Sequence, residues 1–318
     1  MNPTVDIVVP AFNEVGSVRR LHERVFAVVG SLPYSFRLIF VDDGSSDGTA
    51  AACATLAKED PRVGFIQFSR NFGHQAALTA ALDYADADAV ITMDADLQHP
   101  PEAIPEFLEA WRKGGEVVHG VRRQAEGLGF FKRTTSHLFY VLMSRLSEVP
   151  LVQDAPDFRL LDAKVVRAIR GMREQSRFLR GMFAWIGFNQ VQVPYAQADR
   201  DSGSSKYSTR RMIAFGVTAV LSFSRVPLRI ATIAGGVVSV IAFLYGIYAL
   251  LQHVVFQQAL PGWTSIALIV SFLSGTQMVF LGLIGEYLGQ VLSETKHRPL
   301  YVVRDNVLPR LEKPETPS

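Results

Sequence analysis

Asp94 and Asp96, two residues apart, are the strongest candidates for metal chemistry in this chain. They follow the apolar run 89–93, which is typical of a buried strand. Because alternate side chains of a strand point to the same side, both carboxylates are expected to face one point. A hard divalent cation takes such oxygen ligands and commonly bridges them to substrate phosphates. The alternative interpretation is a polar turn that caps a helix beginning near Pro101.

Polar loops also follow the other predicted strands. Those strands span residues 5–10, 36–41, 63–68 and 116–121. Strands that alternate with helical patterns favour an α/β fold with a mostly parallel sheet. In open sheets of this kind the ligand lies outside the carboxyl ends of the strands. The polar loops are therefore expected to meet at one edge of the sheet.

Four segments of the chain carry a resemblance to a known family. VVPAFNE (8–14), VDDGSSDGT (41–49), SRNFGHQAAL (69–78) and MDADLQHPPE (93–102) resemble the successive motifs of family 2 glycosyltransferases. They are most similar to the polyisoprenyl-phosphate branch, which includes dolichol-phosphate mannose synthases and bactoprenol glucosyltransferases. The resemblance covers almost the whole chain and implies a GT-A-like nucleotide-sugar-binding domain. Phe12 replaces the tyrosine that is commonest in the family and keeps an aromatic side chain.

The resemblance also implies roles for single residues. Gln98 would join Asp94 and Asp96 at a Mg2+ or Mn2+ site, although helix capping or solvent contact is an alternative for Gln98. The residues expected to contact the nucleotide sugar are Pro10, Ala11, Phe12, Asn13, Glu14, Asp42, Asp43, Asn71 and Asp94.

Asp157, in the segment 154–161, matches the family's catalytic aspartate, the general base of an inverting displacement. A phosphate monoester has a second pKa of about 6, so a phosphate acceptor is largely deprotonated at neutral pH. Asp157 is therefore expected to act as a base or to orient the phosphate. A structural ion pair with Arg159 is the alternative.

A lipid phosphate acceptor needs cations, and arginine suits bidentate phosphate contact. The residues that match the family's phosphate-binding positions are Arg122, Lys132, Arg133, Ser136, Arg200 and Lys206. For each basic residue among them, a solvated surface charge is the alternative.

Two stretches, 230–251 and 264–285, contain no charged residue. Each is 22 residues long, and a helix needs roughly 20 residues to span a bilayer core. They predict two transmembrane helices, at about 230–251 and 264–286, joined by a turn at 257–262; buried soluble helices are the alternative. Segments 134–147 and 208–226 are predicted as helices at the membrane interface.

Basic residues on either side of the predicted hairpin set its orientation. Arg210, Arg211, Arg225 and Arg229 precede it, Lys296, Arg298 and Arg304 follow it, and the turn has neither lysine nor arginine. Both termini are therefore expected in the cytosol of a bacterial cell, with the hairpin in the plasma membrane. The expected domains are a catalytic domain (1–207), an interfacial helix (208–226), a hairpin (227–290) and a cytosolic tail (291–318). Glycines in the hairpin favour close helix contacts and a homo-oligomer.

The net charge of +2 over 318 residues predicts no nucleic-acid partner. Cys53 is the only cysteine, which excludes an intrachain disulfide. We interpret Cys53 as a packed helix residue and not as a nucleophile.

Together these features predict a membrane-anchored enzyme that transfers one hexose from a nucleoside diphosphate to polyprenyl phosphate. The product would be a lipid-linked sugar donor for modification of cell-envelope glycans. Glucose from UDP-glucose to undecaprenyl phosphate is the first choice; mannose from GDP-mannose and an aminoarabinose-type sugar are alternatives. A processive polysaccharide synthase is expected to have more spans and a Q-x-x-R-W motif, and the sequence has neither. A non-catalytic adaptor would not need Asp94, Asp96 and Asp157 together.

Overall fold

The computed structural model describes residues 2–122, 156–175, 177–196, 226–254 and 262–309. They form two compact units, of which the first contains the described residues up to 196 together with 298–309. The second unit contains 226–254 and 262–297. The predicted interfacial segments 134–147 and 208–226 lie outside the described residues, apart from Val226.

The first unit is built on an eight-stranded sheet in the order β7-β5-β6-β4-β1-β2-β3-β8. The strands are β1 (Thr4–Ala11), β2 (Ser35–Asp42), β3 (Val63–Phe68), β4 (Ala89–Thr92), β5 (Val117–Arg122), β6 (Arg159–Asp162), β7 (Gln190–Tyr195) and β8 (Val303–Val307). β6 and β8 run antiparallel to their neighbours, and the remaining pairs are parallel. The predicted strands are confirmed, with ends that differ by no more than one residue.

Helices cover the sheet of the first unit. They are α1 (Val15–Val29), α2 (Thr49–Glu59), α3 (His74–Tyr84), α4 (Ile104–Arg112), α5 (Ala163–Gly171) and α6 (Leu179–Trp185). α1 buries Val18, Leu21 and Val25, whose spacing places them on one helix face. Cys53 on α2 is fully buried, and burial raises the pKa of its thiol to about 12. The prediction that Cys53 is a packed residue is therefore confirmed.

The order of the strands creates a crevice at one edge of the sheet. β2 lies on one side of β1 and β4 lies on the other, so the direction of winding reverses between β1 and β4. Ligands of open α/β sheets bind at such a reversal, outside the carboxyl ends of the strands. The residues that follow these two strands are Phe12–Glu14 and Asp94–Asp96.

The last described segment closes the edge of the sheet beside β3, where β8 pairs antiparallel. The ring of Tyr301 stacks on Phe68, with 5.1 Å between centroids, and its hydroxyl donates to Asp83 at 2.9 Å. Arg37 on β2 donates to the Pro309 carbonyl at 3.2 Å. The sequence of this segment did not predict a strand, and residues 310–318 lie outside the described part of the chain.

The second unit contains the helices α7 (Val226–Val254) and α8 (Trp263–Thr295). Both predicted apolar segments are therefore helical, and α8 continues past the predicted end at residue 286. Within the described residues, one helix is long and apolar enough to cross a membrane, through a window at Ala231–Tyr248 with mean hydropathy 1.8. The predicted turn at 257–262 lies outside the described residues, apart from Gly262.

Candidate active site

Asp94 and Asp96 lie in the loop after β4. The prediction that they face one point because of strand alternation is wrong. The N–H of Met93 still donates to Val8 on β1, at 3.1 Å. The N–H of Asp94 donates instead to Nδ1 of His99, so the strand ends before Asp94. The positions of the two carboxylates are therefore determined by the turn after β4 and not by strand alternation. In the turn that follows, Ala95 is buried, Asp94 is half-buried and Asp96 is exposed.

His99 holds the Asp94 end of this loop. Its Nδ1 accepts the Asp94 N–H at 2.9 Å, and its Nε2 lies 3.6 Å from Asp94 Oδ2. The ring is fully buried and stacks on Phe158. Burial, the largest influence, lowers the pKa of His99 although nearby carboxylates oppose the change. His99 is therefore a neutral imidazole at neutral pH.

Gln98 holds the Asp96 end. Its N–H donates to Asp96 Oδ1 at 3.1 Å, and its side-chain amide donates to Asp96 Oδ2. Gln98 is buried and does not cap a helix. Within the described residues no three His, Cys, Asp or Glu side chains form a metal-binding group. Two carboxylates and a neighbouring amide fit a cation of the Mg2+ type, which keeps several positions for water and substrate phosphates.

Asp157 lies in a cluster of cationic groups. Arg159 Nη2 is 3.2 Å from Oδ1, and Arg180 donates to both oxygens at 3.1 Å. His74 Nε2 is 3.3 Å from Oδ2. The ion pair with Arg159 that we considered as an alternative for Asp157 is therefore present, together with a second arginine.

These contacts change the proton affinity of Asp157. Burial is the largest single influence and would raise the pKa of this carboxyl. The hydrogen bond from His74 and the charges of Arg180 and Arg159 together exceed it and hold the pKa well below its usual range. For His74, burial opposes the charged form, but the hydrogen bond to Asp157 and the charge of Asp94 raise its pKa. Asp157 is thus a weak base at neutral pH.

His74, the first residue of α3, connects the two acidic positions. Its Nε2 lies 3.3 Å from Asp157 Oδ2 and 3.7 Å from Asp94 Oδ1. The side chain is 44% exposed, so this contact is open to solvent. Asp94 and Asp157, far apart in the chain, therefore belong to one site.

The predicted nucleoside-binding carboxylates Asp42 and Asp43 connect loops. Asp43 accepts the N–H groups of Phe72 at 2.7 Å and Gly73 at 2.9 Å. Asp42 accepts the N–H of Ser45 at 3.3 Å. Both carboxyls are buried, and burial raises the pKa of each. Their contact with a nucleoside stays a prediction.

The loop after β1 is tied to the loop after β2. Asn13 adopts a left-handed φ of 56°, and its N–H donates to Ser45 Oγ at 2.9 Å. The N–H of Glu14 donates to Thr49 Oγ1 at 2.8 Å. Phe12 is 48% exposed at the crevice. Of the remaining predicted nucleotide contacts, Pro10 and Ala11 are buried and Asn71 is exposed.

Arg122 is the last residue of β5 and pairs with Tyr195 of β7. Its Nε is buried and has no hydrogen-bond partner in the described part of the chain. The other predicted acceptor-binding residues lie outside the described residues; they are Lys132, Arg133, Ser136, Arg200 and Lys206.

His74, His99 and Arg180 were not predicted as site residues from the sequence. The two histidines lie inside motifs that were recognised, so motif membership was the available signal. Arg180 lies 23 residues after Asp157 on α6, outside any recognised motif. Its pairing follows from the tertiary fold alone.

Two family models match the chain. The model described as Glycosyl transferase family 2 matches residues 6–170, which contain His74, Asp94, Asp96, His99 and Asp157 but not Arg180. The model described as GtrB C-terminal hairpin matches residues 226–291, which contain α7 and most of α8.

Similar proteins match over almost the full length. The chain is 39% identical over 298 residues to the Uncharacterized glycosyltransferase YkcC of Bacillus subtilis, covering 94% of this chain and 92% of that one. It is 36% identical over 301 residues to the Bactoprenol glucosyl transferase of Shigella phage SfV, covering 95% and 98%. The solved mannosyltransferase PcManGT of Pyrobaculum calidifontis, in complex with GDP-Man and Mn2+, shares the GT-A-like fold at a TM-score of 0.50 and 14% identity, covering 93% and 87%. The chain therefore belongs to glycosyl transferase family 2 and is a glycosyltransferase.

Proposed function

We propose that this enzyme transfers one hexose from a nucleoside diphosphate to polyprenyl phosphate, with inversion, at the cytosolic face of a bacterial plasma membrane. Glucose from UDP-glucose and undecaprenyl phosphate are the proposed substrates. The observation that carries the proposal is the bridge made by His74 between Asp94 and Asp157. This bridge brings the loop of Asp94 and Asp96, which has carboxylates suited to a metal, into one site with the buried Asp157 and its two arginines. The name of the bactoprenol glucosyl transferase relative supports the choice of sugar and lipid.

On the donor side, Asp94 and Asp96 are the residues that would hold a divalent cation. A bound Mg2+ or Mn2+ would act as a Lewis acid on the departing diphosphate. Exposed Phe12, beside the tied loops of Asn13 and Asp42, offers an aromatic surface for the base. The protein residues thus bind the nucleotide and orient the sugar toward Asp157.

On the acceptor side, one oxygen of the lipid phosphate forms the new bond to the sugar as the diphosphate leaves. A phosphate monoester with a second pKa of about 6 is mostly a dianion at neutral pH and needs little help from a base. Arg180, which is 44% exposed, presents positive charge beside Asp157, and His74 lies against the same carboxylate. We therefore propose that Asp157 orients these two side chains, and that they orient the phosphate.

A donor panel tests this function. Purified full-length protein is mixed with undecaprenyl phosphate and, separately, UDP-glucose, GDP-mannose or a UDP-aminoarabinose-type sugar. We expect one hexose per lipid, with UDP-glucose as the best donor. Transfer from another donor alone would overturn the sugar assignment. Addition of several sugars per lipid, or no transfer to lipid phosphate from any donor, would overturn the proposed reaction.

Replacement of the acceptor-side arginines is expected to weaken lipid binding selectively. Arg122→Ala and Arg133→Ala should raise the KM for the lipid phosphate about 10- to 100-fold, because each loses a charge-assisted contact of about 1.5–3 kcal/mol. The KM for the nucleotide sugar should stay near the wild-type value. Arg112→Ala, at an exposed arginine on α4, is the matched control. Equal increases in both KM values would contradict the acceptor assignment.

The pairing of β8 with β3 supports a hairpin topology for the membrane segment. The chain leaves the first unit before α7 and returns to its sheet after α8. If the helices cross a membrane, they must cross it an even number of times. We propose that both helices span the bilayer and that both termini are cytosolic. A homo-oligomer through the glycine-bearing helices stays a prediction.

Cysteine labelling in intact cells checks this topology. In a Cys53→Ala background, Gln258→Cys in the turn should react with an impermeant thiol reagent. Ser17→Cys and Thr316→Cys should react only after the cells are opened, because basic flanks hold both ends inside. Labelling of Thr316→Cys in intact cells would contradict the hairpin.

A further inference from the structure

The ring of His99 is held in one orientation between the two halves of the site. It stacks on Phe158 with 5.0 Å between centroids and 7° between planes. Tyr195 contacts it edge-on, with centroids 6.3 Å apart. Phe158 directly follows Asp157 in the chain, and all three aromatic side chains are buried. Movement of the imidazole is therefore restricted by the core that also supports Asp157.

Hydrogen bonding determines which nitrogen of His99 carries the proton. Nδ1 accepts the N–H of Asp94 at 2.9 Å, so Nδ1 has no proton of its own. In a neutral imidazole the proton is then on Nε2. This Nε2–H is buried and has no hydrogen-bond partner among the described residues. It lies 3.6 Å from Asp94 Oδ2, which is too long for a hydrogen bond.

A buried donor without a partner is destabilising, and a small rotation of the Asp94 carboxyl would satisfy it. The same rotation would fix the direction of the second carboxyl oxygen. Carboxylates that bind a metal are commonly oriented by hydrogen bonds from residues behind them, and loss of such a partner lowers metal affinity about 10- to 100-fold.

We infer that His99 is the positioning residue for Asp94: Nδ1 fixes its main chain, and Nε2–H binds its carboxylate when a divalent cation is held. The inference rests on the proposed metal site at Asp94 and Asp96. His99 itself is not a metal ligand, because its only nitrogen near the carboxylate is protonated. This arrangement makes the affinity for the cation depend on a side chain that contacts neither cation nor substrate.

Three substitutions separate the contacts of His99. His99→Asn keeps an acceptor near the position of Nδ1 but has no donor near Nε2. His99→Phe keeps a ring on Phe158 but has neither nitrogen. His99→Gln restores a donor near Nε2. The matched control is His119→Gln, at a buried histidine on β5 that bonds Gln190 at 2.9 Å.

The experiment measures binding of Mn2+, alone and with UDP, to full-length protein by electron paramagnetic resonance of free Mn2+. Thermal melting of each variant in the absence of metal shows which variants are folded. We expect His99→Asn and His99→Phe to bind Mn2+ about 10- to 100-fold more weakly than wild type. His99→Gln should bind more tightly than either, and His119→Gln should bind like wild type. Because His99→Asn and His99→Phe both remove the donor, whichever folds is decisive.

The outcomes distinguish this inference from the proposed function. If wild type binds Mn2+, Asp96→Asn does not, and a folded His99→Asn or His99→Phe binds like wild type, the role of His99 is overturned while the metal site stands. A His99→Gln that binds no more tightly than these two variants also overturns it. If wild type binds no Mn2+, the metal site and the inference fail together.

Discussion

Asp94→Asn and Asp96→Asn are each expected to lower kcat/KM by at least about 10³-fold, since a Lewis-acid metal supplies several kcal/mol to the transition state. An asparagine removes one anionic ligand from a cation that prefers charged oxygens. Both side chains are partly solvent-exposed, and Asp96 accepts two hydrogen bonds from Gln98, so the free energy of unfolding should change by no more than about 1.5 kcal/mol. Steady-state kinetics and thermal melting on the same preparations separate these two effects.

The control is Asp86→Asn, at an exposed carboxyl near the opposite end of β4, which removes the same charge. It should leave kcat/KM near the wild-type value. A chelator should abolish activity of the wild type, and added Mg2+ or Mn2+ should restore it. Full activity of the wild type in excess chelator would contradict a metal-dependent mechanism.

Asp157→Asn is expected to reduce both stability and turnover. Arg159 is fully buried, and without the carboxylate its charge lacks that counter-charge, which costs about 3–5 kcal/mol in the free energy of unfolding. The value of kcat should fall about 10- to 100-fold, because loss of a charge-assisted contact of about 1.5–3 kcal/mol misplaces Arg180 and His74. Donor affinity should stay near normal. Glu102→Gln, which removes the partner of the exposed Arg24, should cost less than about 1 kcal/mol.

The pH dependence decides between positioning and base catalysis. The pKa of Asp157 is lowered in the folded protein, so the carboxylate stays ionised throughout the neutral and mildly acidic range. Its contribution to stability is complete above its unfolded pKa of about 3.9 and is lost as the pH falls below that value. A decline of kcat near pH 6 would therefore come from the phosphate, and it should persist in Asp157→Asn. Its disappearance in this variant would restore the general-base assignment.

The sequence predicted the parts of the fold that depend on local pattern. The strands β1 to β5 are apolar runs between polar loops, and such a pattern can be recognised from the local sequence alone. β8 has no such pattern, because Arg304, Asp305 and Asn306 face solvent at the edge of the sheet. Its pairing depends on contacts with β3 that the sequence of β8 does not encode locally.

The candidate site divides in the same way. Asp94, Asp96 and Asp157 were predicted from motifs. Arg180 was not, because its role at the site depends on its contact with Asp157, which only the tertiary fold creates. The early end of β4 has a similar origin. The Asp94 N–H donates to the side chain of His99 and not to the neighbouring strand. The spacing of apolar residues does not show that a side chain will accept this hydrogen bond.

The pairing of β3 with β8 also fixes an order of assembly during synthesis. Phe65 pairs with Val307, and Arg37 binds the Pro309 carbonyl 272 residues further along the chain. During synthesis, β3 therefore emerges from the ribosome with one edge unpaired. This edge stays unpaired until both long helices and then β8 have been made. Open strand edges readily pair with other chains. The nascent first unit thus still has an unpaired strand edge while α7 and α8 are being translated, and its sheet is completed last.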